Sequence, residues 1–419
     1  MSQLRVLHYS TYQTQCGIAM YAEDLVKALD RAGVENSVRP VSTAELQQMN
    51  DAQMRAWIKS VADEAKQHDV IHIQHDYSFF ANGPYTLKNS NRNFCSLLHQ
   101  LDEAKVPTVV TFHVALHGMD FWSKGPRRHA RRAMSAGFER KSSLYFKHWR
   151  IPHGMRSTPE RFRAVTFSPR PQASHVLGGL DPSVMRQIPL AAPKPSSTVT
   201  GIDPQTAKER LGLPRHCVLM SQFGFISAYK GFEWALRGIE MLPENYYFAV
   251  VGGRHRDVPS EPTLNRILEI WQGRNPDRMR VTGFVNDEER DLYLAATDIF
   301  LAPYTWNELT ASGAVTWALT SGKPVIASTI DCFREINNQY DCMLTVPPGM
   351  IHELAWQIQR VTASTKLREH LASGAARYAH DHSWEVIAGR YLKEFEEIAA
   401  THGRGAKTSS HSPQLARAA

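Results

Sequence analysis

Residues 217–236 read CVLMSQFGFISAYKGFEWAL. An apolar run of strand length passes into a Phe-Gly-Phe turn, then a Lys-Gly pair, then a stretch whose apolar residues recur at helical spacing. Strand, glycine loop and helix in that order predict one βα unit of a parallel sheet. Lys230 stands just before the helix, where the macrodipole disfavours a cation by about 0.3–1 kcal/mol. That local misfit sets an anion-binding reading, with Gly231 admitting a close approach, level with a merely solvated lysine.

The same order runs outward from this unit. After it come YYFAVVGG, a helix from Thr263, RVTGF, a helix from Asp287, DIFLAPY, a helix over about 311–320, and KPVIAST. Before it come LRVLHYS, a helix over about 19–32, DVIHIQH, a helix over about 91–104, TVVTFHV, RAVTFS, a short helix near 171–177, and RQIPL. Near-continuous apolar strands alternating with helices predict α/β sheets covered on both faces. The stretch PLAAPKPSSTVTGIDP (189–204) reads as a linker between two such halves. The expected architecture is two doubly wound, Rossmann-like domains, 1–192 and 193–382, facing across a cleft. A final helix, 383–401, starts at an N-cap Ser383 with Glu385 in its first turn. The tail 402–419 reads as disordered.

The chain has 419 residues, 42% apolar and 21% charged, an ordinary soluble composition. No run approaches the roughly 18 apolar residues of a membrane span, and the start of the chain shows no secretion-signal pattern. Five cysteines (16, 95, 217, 332, 342) form no C-x-x-C pair, which argues against disulfides and structural zinc and fits a reducing cytoplasm. Net charge is +7, but residues 114–164 hold twelve Lys/Arg and three Asp/Glu, a net +9 that leaves about −2 elsewhere. Within this segment Arg127/Arg131 and Arg128/Arg132 are like-charged i, i+4 pairs that an anionic partner would relieve. With its interleaved aromatics it suits an anionic membrane surface, a diphosphate-lipid or acidic-glycan acceptor, or a plain solvated lobe. No nucleic-acid module accompanies the charge, and no nucleic-acid partner is expected. The expected location is the cytoplasm, with a peripheral contact at the inner face of the membrane as the segment's option.

In doubly wound sheets, ligands bind outside the carboxyl ends of the strands. Gly17, in QTQCGIAMYAEDL, sits there at a helix entry, where free N–H groups suit phosphate. His113 follows TVVTF, at the mouth of the expected cleft. His72 and His75 are three apart on a strand, so their side chains point to opposite faces, and no D-x-D pair is present to hold a metal with a diphosphate. VVGGRHRD lacks G-x-G-x-x-G, and neither a nucleophile elbow nor a P-loop is present.

FGFISAYKGFEWAL, VVGG, RVTGFVNDEERDLYLAATDIFLAPY and ALTSGKPVIAS, in that order and spacing, resemble the C-terminal half of the retaining GT-B glycosyltransferases of family 4, which use nucleotide-diphosphate sugars. CGIAMYAEDLVKAL and VVTFHV resemble that family's glycine loop and histidine strand. The resemblance covers most of residues 4–398. It implies that Lys230, with Gly224 and Gly231, meets the donor diphosphate, that His113 lies beside the donor sugar, and that Gly17 faces the phosphates. It also puts Gly283, Phe284 and Val285 at the nucleotide base, Glu308 at the sugar hydroxyls, and the final helix back on the first domain.

The family pattern has a second glutamate eight residues after the first. Here that place falls on Thr316 or Trp317, and Phe225 stands where an arginine is usual. The resemblance then shifts diphosphate binding toward the backbone of Thr310–Gly313, with Ser312 at the helix entry, and leaves ribose to another group such as the Thr316 hydroxyl. His113, Lys230 and Glu308 are the expected catalytic residues, with no cofactor or metal. The expected function is retaining transfer from a nucleotide-sugar donor to a glycan or lipid-linked acceptor, in cell-surface polysaccharide or lipid-linked glycan synthesis. A non-catalytic nucleotide-sugar-binding protein, or an epimerase or hydrolase of the same fold, remains open.

Overall fold

The computed structural model describes residues 3–83, 86–114, 151–254, 262–272, 276–307 and 309–401. The expected sugar contact Glu308 lies outside the described residues, as do Arg127, Arg128, Arg131 and Arg132 of the basic segment and the tail from 402.

Two six-stranded parallel sheets organise the chain. The first contains β1 (Arg5–Ser10), β2 (Glu35–Pro40), β3 (Val70–His75), β4 (Thr108–Phe112), β5 (Phe162–Thr166) and β6 (Met185–Gln187), in the spatial order β2-β1-β3-β4-β5-β6. The second contains β7 (Val218–Phe223), β8 (Tyr246–Val251), β9 (Met279–Val281), β10 (Ile299–Ala302), β11 (Val325–Ser328) and β12 (Met343–Val346), in the order β12-β11-β10-β7-β8-β9. The strand order reverses between β1 and β3 in one sheet and between β7 and β10 in the other. Such reversal points open a crevice at the carboxyl ends of the strands.

Alternation along the strands explains the two covered faces. In β7, Leu219 and Phe223 join one buried cluster while Met220 joins another; Phe300 and Ala302 against Ile299 and Leu301 repeat the split in β10. Period-2 geometry sends successive side chains to opposite faces, so a run such as IFLA supplies both cores at once. β3 (VIHIQH) and β4 (TVVTF) are buried throughout, which places His72, Gln74 and Thr111 inside, where polar groups require partners.

The chain separates into two compact units, one of Met1–Pro189 with the chain from Ile387, the other of Leu190–Val386. The stretch read as a bare linker is more structured than expected. Ser196 caps a short helix, Ser197–Gly201, by accepting from Val199 N, and Val199 is buried. Ala192 N donates to His382 O at 2.6 Å, tying the stretch to the end of its own unit.

Four helices matter for function: α1 (Gly17–Arg31), α2 (Phe232–Glu240), α3 (Gly313–Thr320) and α4 (Trp384–Ala399). Ser383 caps α4 through its hydroxyl, which accepts from Val386 N at 3.4 Å. Ile387, Ala388, Tyr391, Phe395 and Ile398 form the buried stripe of α4, which returns to the first unit. The Phe395 ring lies 5.2 Å from His72, and Glu394 receives Arg163 Nε at 2.8 Å and Arg186 Nε at 2.9 Å. Among the described residues no helix is long and apolar enough to cross a membrane.

Candidate functional site

In the second unit β7 runs out through Gly224 into a one-turn helix, Ala228–Lys230, and then α2. Gly231 takes φ +69, and a Cβ there would meet Pro303 O at 2.0 Å, so only glycine fits. Gly252, at the end of β8, has φ +149, and its missing Cβ would stand 2.2 Å from Gly224 O. Two loops at the carboxyl end of the sheet thereby close on each other.

Lys230 is 7% exposed. Its ammonium donates to Phe223 O at 3.1 Å and lies against Gly224, where a Cβ would come within 2.5 Å of Nζ. Gln222 Nε2 donates to Lys230 O at 2.7 Å and pins the backbone of the turn. Burial pushes the ammonium pKa down to about 8, and no carboxylate among the described residues offsets this. An ammonium has three donors and is costly to bury unpaired.

The loop after β10 packs against the Lys230 turn. Thr305 N donates to Tyr229 O at 2.7 Å, and the Tyr229 ring meets Tyr304 and Trp306 edge-on at 5.7 and 5.5 Å. Tyr304 OH reaches Ser312 Oγ at 3.4 Å, and Ser312 caps α3 by accepting from Val315 N. A Cβ at Gly313 would have no neighbour within 4 Å. The Lys230 turn and the start of α3 therefore flank the reversal between β7 and β10, while Thr310 is buried. The Thr316 hydroxyl is buried, donates to Ser312 O at 2.9 Å and lies 3.2 Å from Tyr378 OH, so it is engaged inside the unit. Trp317 lies under the Arg290 guanidinium, 4.0 Å from it.

Phe284 is 50% exposed and covers Gly253, where a Cβ would come 3.1 Å from its ring. Phe225 meets Phe284 edge-on at 5.7 Å, so an aromatic contact occupies the place where the resemblance has arginine. Gly283 takes φ +72 and Thr282 Oγ1 donates to its carbonyl, while Val285 packs against the core.

In the first unit α1 begins at Gly17, two residues earlier than expected. Its N-cap, Cys16, supplies no side-chain hydrogen bond, the first turn carries no acid, and a Cβ at Gly17 would meet nothing within 4 Å. His113 follows β4, its backbone N–H donating to His75 O at 3.1 Å. Its ring is held edge-on by Tyr21 and Phe167 at 5.7 and 5.1 Å, and its Nε2 lies 2.6 Å from Gln74 Oε1. Burial pushes its pKa down to about 3, so the imidazole is neutral. His72 joins His8 and Phe395, whereas His75 stacks on Phe80 beside Phe94, so the two rings keep separate company. Gln74, Gln222 and the Tyr229–Tyr304 contact were not legible as site elements, because none belongs to a motif. A polar residue inside an otherwise apolar strand was the available signal for both glutamines.

Residues 216–364 match a family model described as glycosyl transferases group 1. The chain is 24% identical over 192 residues to alpha-D-kanosaminyltransferase of Streptomyces kanamyceticus, a match covering 44% of this chain and 47% of that one. It is 26% identical over 125 residues to phosphatidyl-myo-inositol mannosyltransferase of Mycobacterium leprae, covering 30% and 33%. The chain thus spans about half or less of the length of these curated relatives. Among solved structures, sucrose-phosphate synthase of Thermosynechococcus elongatus has a TM-score of 0.68 at 18% identity, covering 95% of this chain and 100% of that one. Anabaena HepE in complex with UDP has a TM-score of 0.67 at 15% identity, covering 94% and 100%. At such identities the structural likeness speaks for the fold, which is GT-B, while residues 216–364 are similar to the group 1 glycosyltransferases.

Proposed function

We propose that this protein transfers a sugar from a nucleotide-diphosphate donor to a hydroxyl of a glycan or lipid-linked acceptor, with retention of configuration and without a metal. The observation that carries this reading is the buried Lys230 ammonium, with no carboxylate partner among the described residues, at the strand-order reversal of the group 1 domain. Departure of a nucleoside diphosphate builds negative charge on the leaving oxygen. A fixed cation and the N–H groups at the start of α3 stabilise that charge more than the ground state, which is what lowers a barrier. The leaving oxygen can itself take the acceptor's proton, so no protein base is needed. Neutral His113 and Glu308 are assigned to the sugar, Phe284 with Gly283 and Val285 to the base, and Gly17 to the phosphates. HepE has been crystallised with UDP-glucose, which makes uridine nucleotides the first donors to try. The mannosyltransferase relatives are named for a phosphatidylinositol acceptor, which supports a lipid-linked acceptor and a peripheral membrane location.

The internal engagement of Thr316 and the Phe225–Phe284 contact favour a second reading, a nucleotide-sugar-binding protein without transfer. A thermal-shift panel of UDP-, GDP- and ADP-sugars with the free diphosphates, on wild type and Lys230→Ala, tests both. Loss of a charge-assisted contact should weaken binding roughly 10–100-fold. A shift with one nucleotide, lost in the variant and followed by product on an acceptor panel, supports transfer. The same shift without product supports the second reading, and no shift with any nucleotide overturns both.

A further inference from the structure

The interior of the first unit holds a string of polar side chains that runs inward from His113. His113 Nε2 is 2.6 Å from Gln74 Oε1, and Gln74 Nε2 is 3.5 Å from His72 Nε2. His72 Nδ1 is 3.2 Å from His8 Nδ1, and His8 Nε2 is 2.9 Å from Asn36 Oδ1. Asn36 Nδ2 donates to Asp30 Oδ1 at 2.7 Å and to Val34 O at 3.3 Å. A second branch enters at His72 Nε2. Tyr21 OH donates to Tyr391 OH at 3.2 Å, Tyr391 OH is 2.9 Å from Thr111 Oγ1, and Thr111 Oγ1 is 2.8 Å from His72 Nε2.

The direction of this string is fixed from its surface end. A carboxylate and a carbonyl only accept, so Asp30 and Val34 turn the Asn36 amide nitrogen toward themselves and leave its oxygen facing His8. His8 must then donate from Nε2 and accept at Nδ1. His72 must donate from Nδ1 and accept at Nε2, whose one lone pair takes the Thr111 hydroxyl at 2.8 Å and turns the Gln74 amide nitrogen, at 3.5 Å, rather than its oxygen toward itself. Gln74 is left with its oxygen toward His113, which must donate from Nε2. In this direction no two donors and no two acceptors face each other along the string. Reversing the string would turn the Asn36 oxygen onto the Asp30 carboxylate. All three rings are neutral: burial lowers His8 to about 4, His113 to about 3, and His72 well below its ordinary value.

We infer that Gln74 is a positioning residue that holds His113 in its Nε2–H form, so that the ring carries its lone pair on Nδ1 and receives a sugar hydroxyl there. The tautomer stands on the hydrogen bonds alone; the sugar hydroxyl rests on the transferase reading. His113 then accepts a hydrogen bond and does not act as an acid, and its tautomer is set from Asp30, the fifth side chain along.

The test is a two-bond 1H–15N correlation spectrum of the full chain labelled on its histidine rings, with the His113 signals identified by their loss in His113→Gln. Wild-type His113 should show the neutral Nε2–H pattern and should not titrate between pH 5 and 8. The near-isosteric Gln74→Glu removes the only donor that the side chain has. His113 should keep its Nε2 proton, and His72, fixed from the Asn36 side, should keep its Nδ1–H pattern. Gln74→Leu should leave His113 a mixture of both forms. An Nδ1–H pattern of His113 in wild type, or a single unchanged Nε2–H pattern in Gln74→Leu, overturns the inference. Nucleotide-induced thermal shifts on the same wild-type sample keep the two questions apart: absence of any shift removes the transferase reading and leaves the tautomer result standing.

Discussion

The same substitution should have opposite consequences at Gly231 and Gly17. Alanine at Gly231 combines a left-handed backbone with a Cβ 2.0 Å from Pro303 O, and should cost about 3 kcal/mol, read as a lower urea midpoint. Alanine at Gly17 meets nothing and should change stability by less than about 0.5 kcal/mol, yet reduce the donor-induced thermal shift if phosphate lies against that backbone. Lys230 carries a pH signature. Burial takes its pKa from the ordinary 10.5 to about 8, so between those values the unfolded chain binds the proton more often than the fold does. The lysine therefore costs stability below about pH 8, and the cost lifts as pH rises toward 10.5. Lys230→Met should accordingly stabilise the ligand-free protein by about 1–2 kcal/mol while removing diphosphate binding. In wild type, diphosphate affinity by calorimetry should fall above about pH 8; a flat profile to pH 9.5 would count against the contact. Lys230 was legible because it offends the helix dipole. Gln74 was not, because its role arises only where β3 and β4 are paired and His113 is brought beside it.

At the scale of elements, α4 is secured by one carboxylate. Arg163 is buried on β5 and pairs closely with Glu394, while Glu397 stands 3.8 Å away and is half exposed. Glu394→Ala should cost about 3 kcal/mol by leaving a buried guanidinium without its close partner, and Glu397→Ala less than about 1 kcal/mol; equal effects in chemical denaturation would refute the distinction. This helix was readable from its stripe and its Ser383 cap. Ten strands could be placed from apolar runs, but β2 (ENSVRP) and β12 (MLTV) were not. Each lies at an edge of its sheet, and β2 is only half-buried along its middle, so nothing in its composition has to be apolar. The helices Asp51–Ala65, Ile351–Ala363 and Thr365–Asp381 escaped for a related reason, since each carries many polar residues around a narrow buried stripe.

Across the whole molecule, the second unit is one continuous stretch, while the first is made of two. A fragment covering 190–386 should unfold cooperatively by itself. A fragment covering 1–189 should need a peptide spanning 384–401 to regain native stability, measured by circular dichroism with the peptide titrated in. Full stability of 1–189 alone would show that α4 is dispensable to it. The split also sets an order of events during synthesis. Roughly 200 residues separate the end of the first stretch from α4, and at the pace of a ribosome they take on the order of 10–40 s to emerge. The part translated first is thus completed last, and through that interval a nascent chain exposes His72, Tyr21 and Arg163 to whatever holds them in place of the helix.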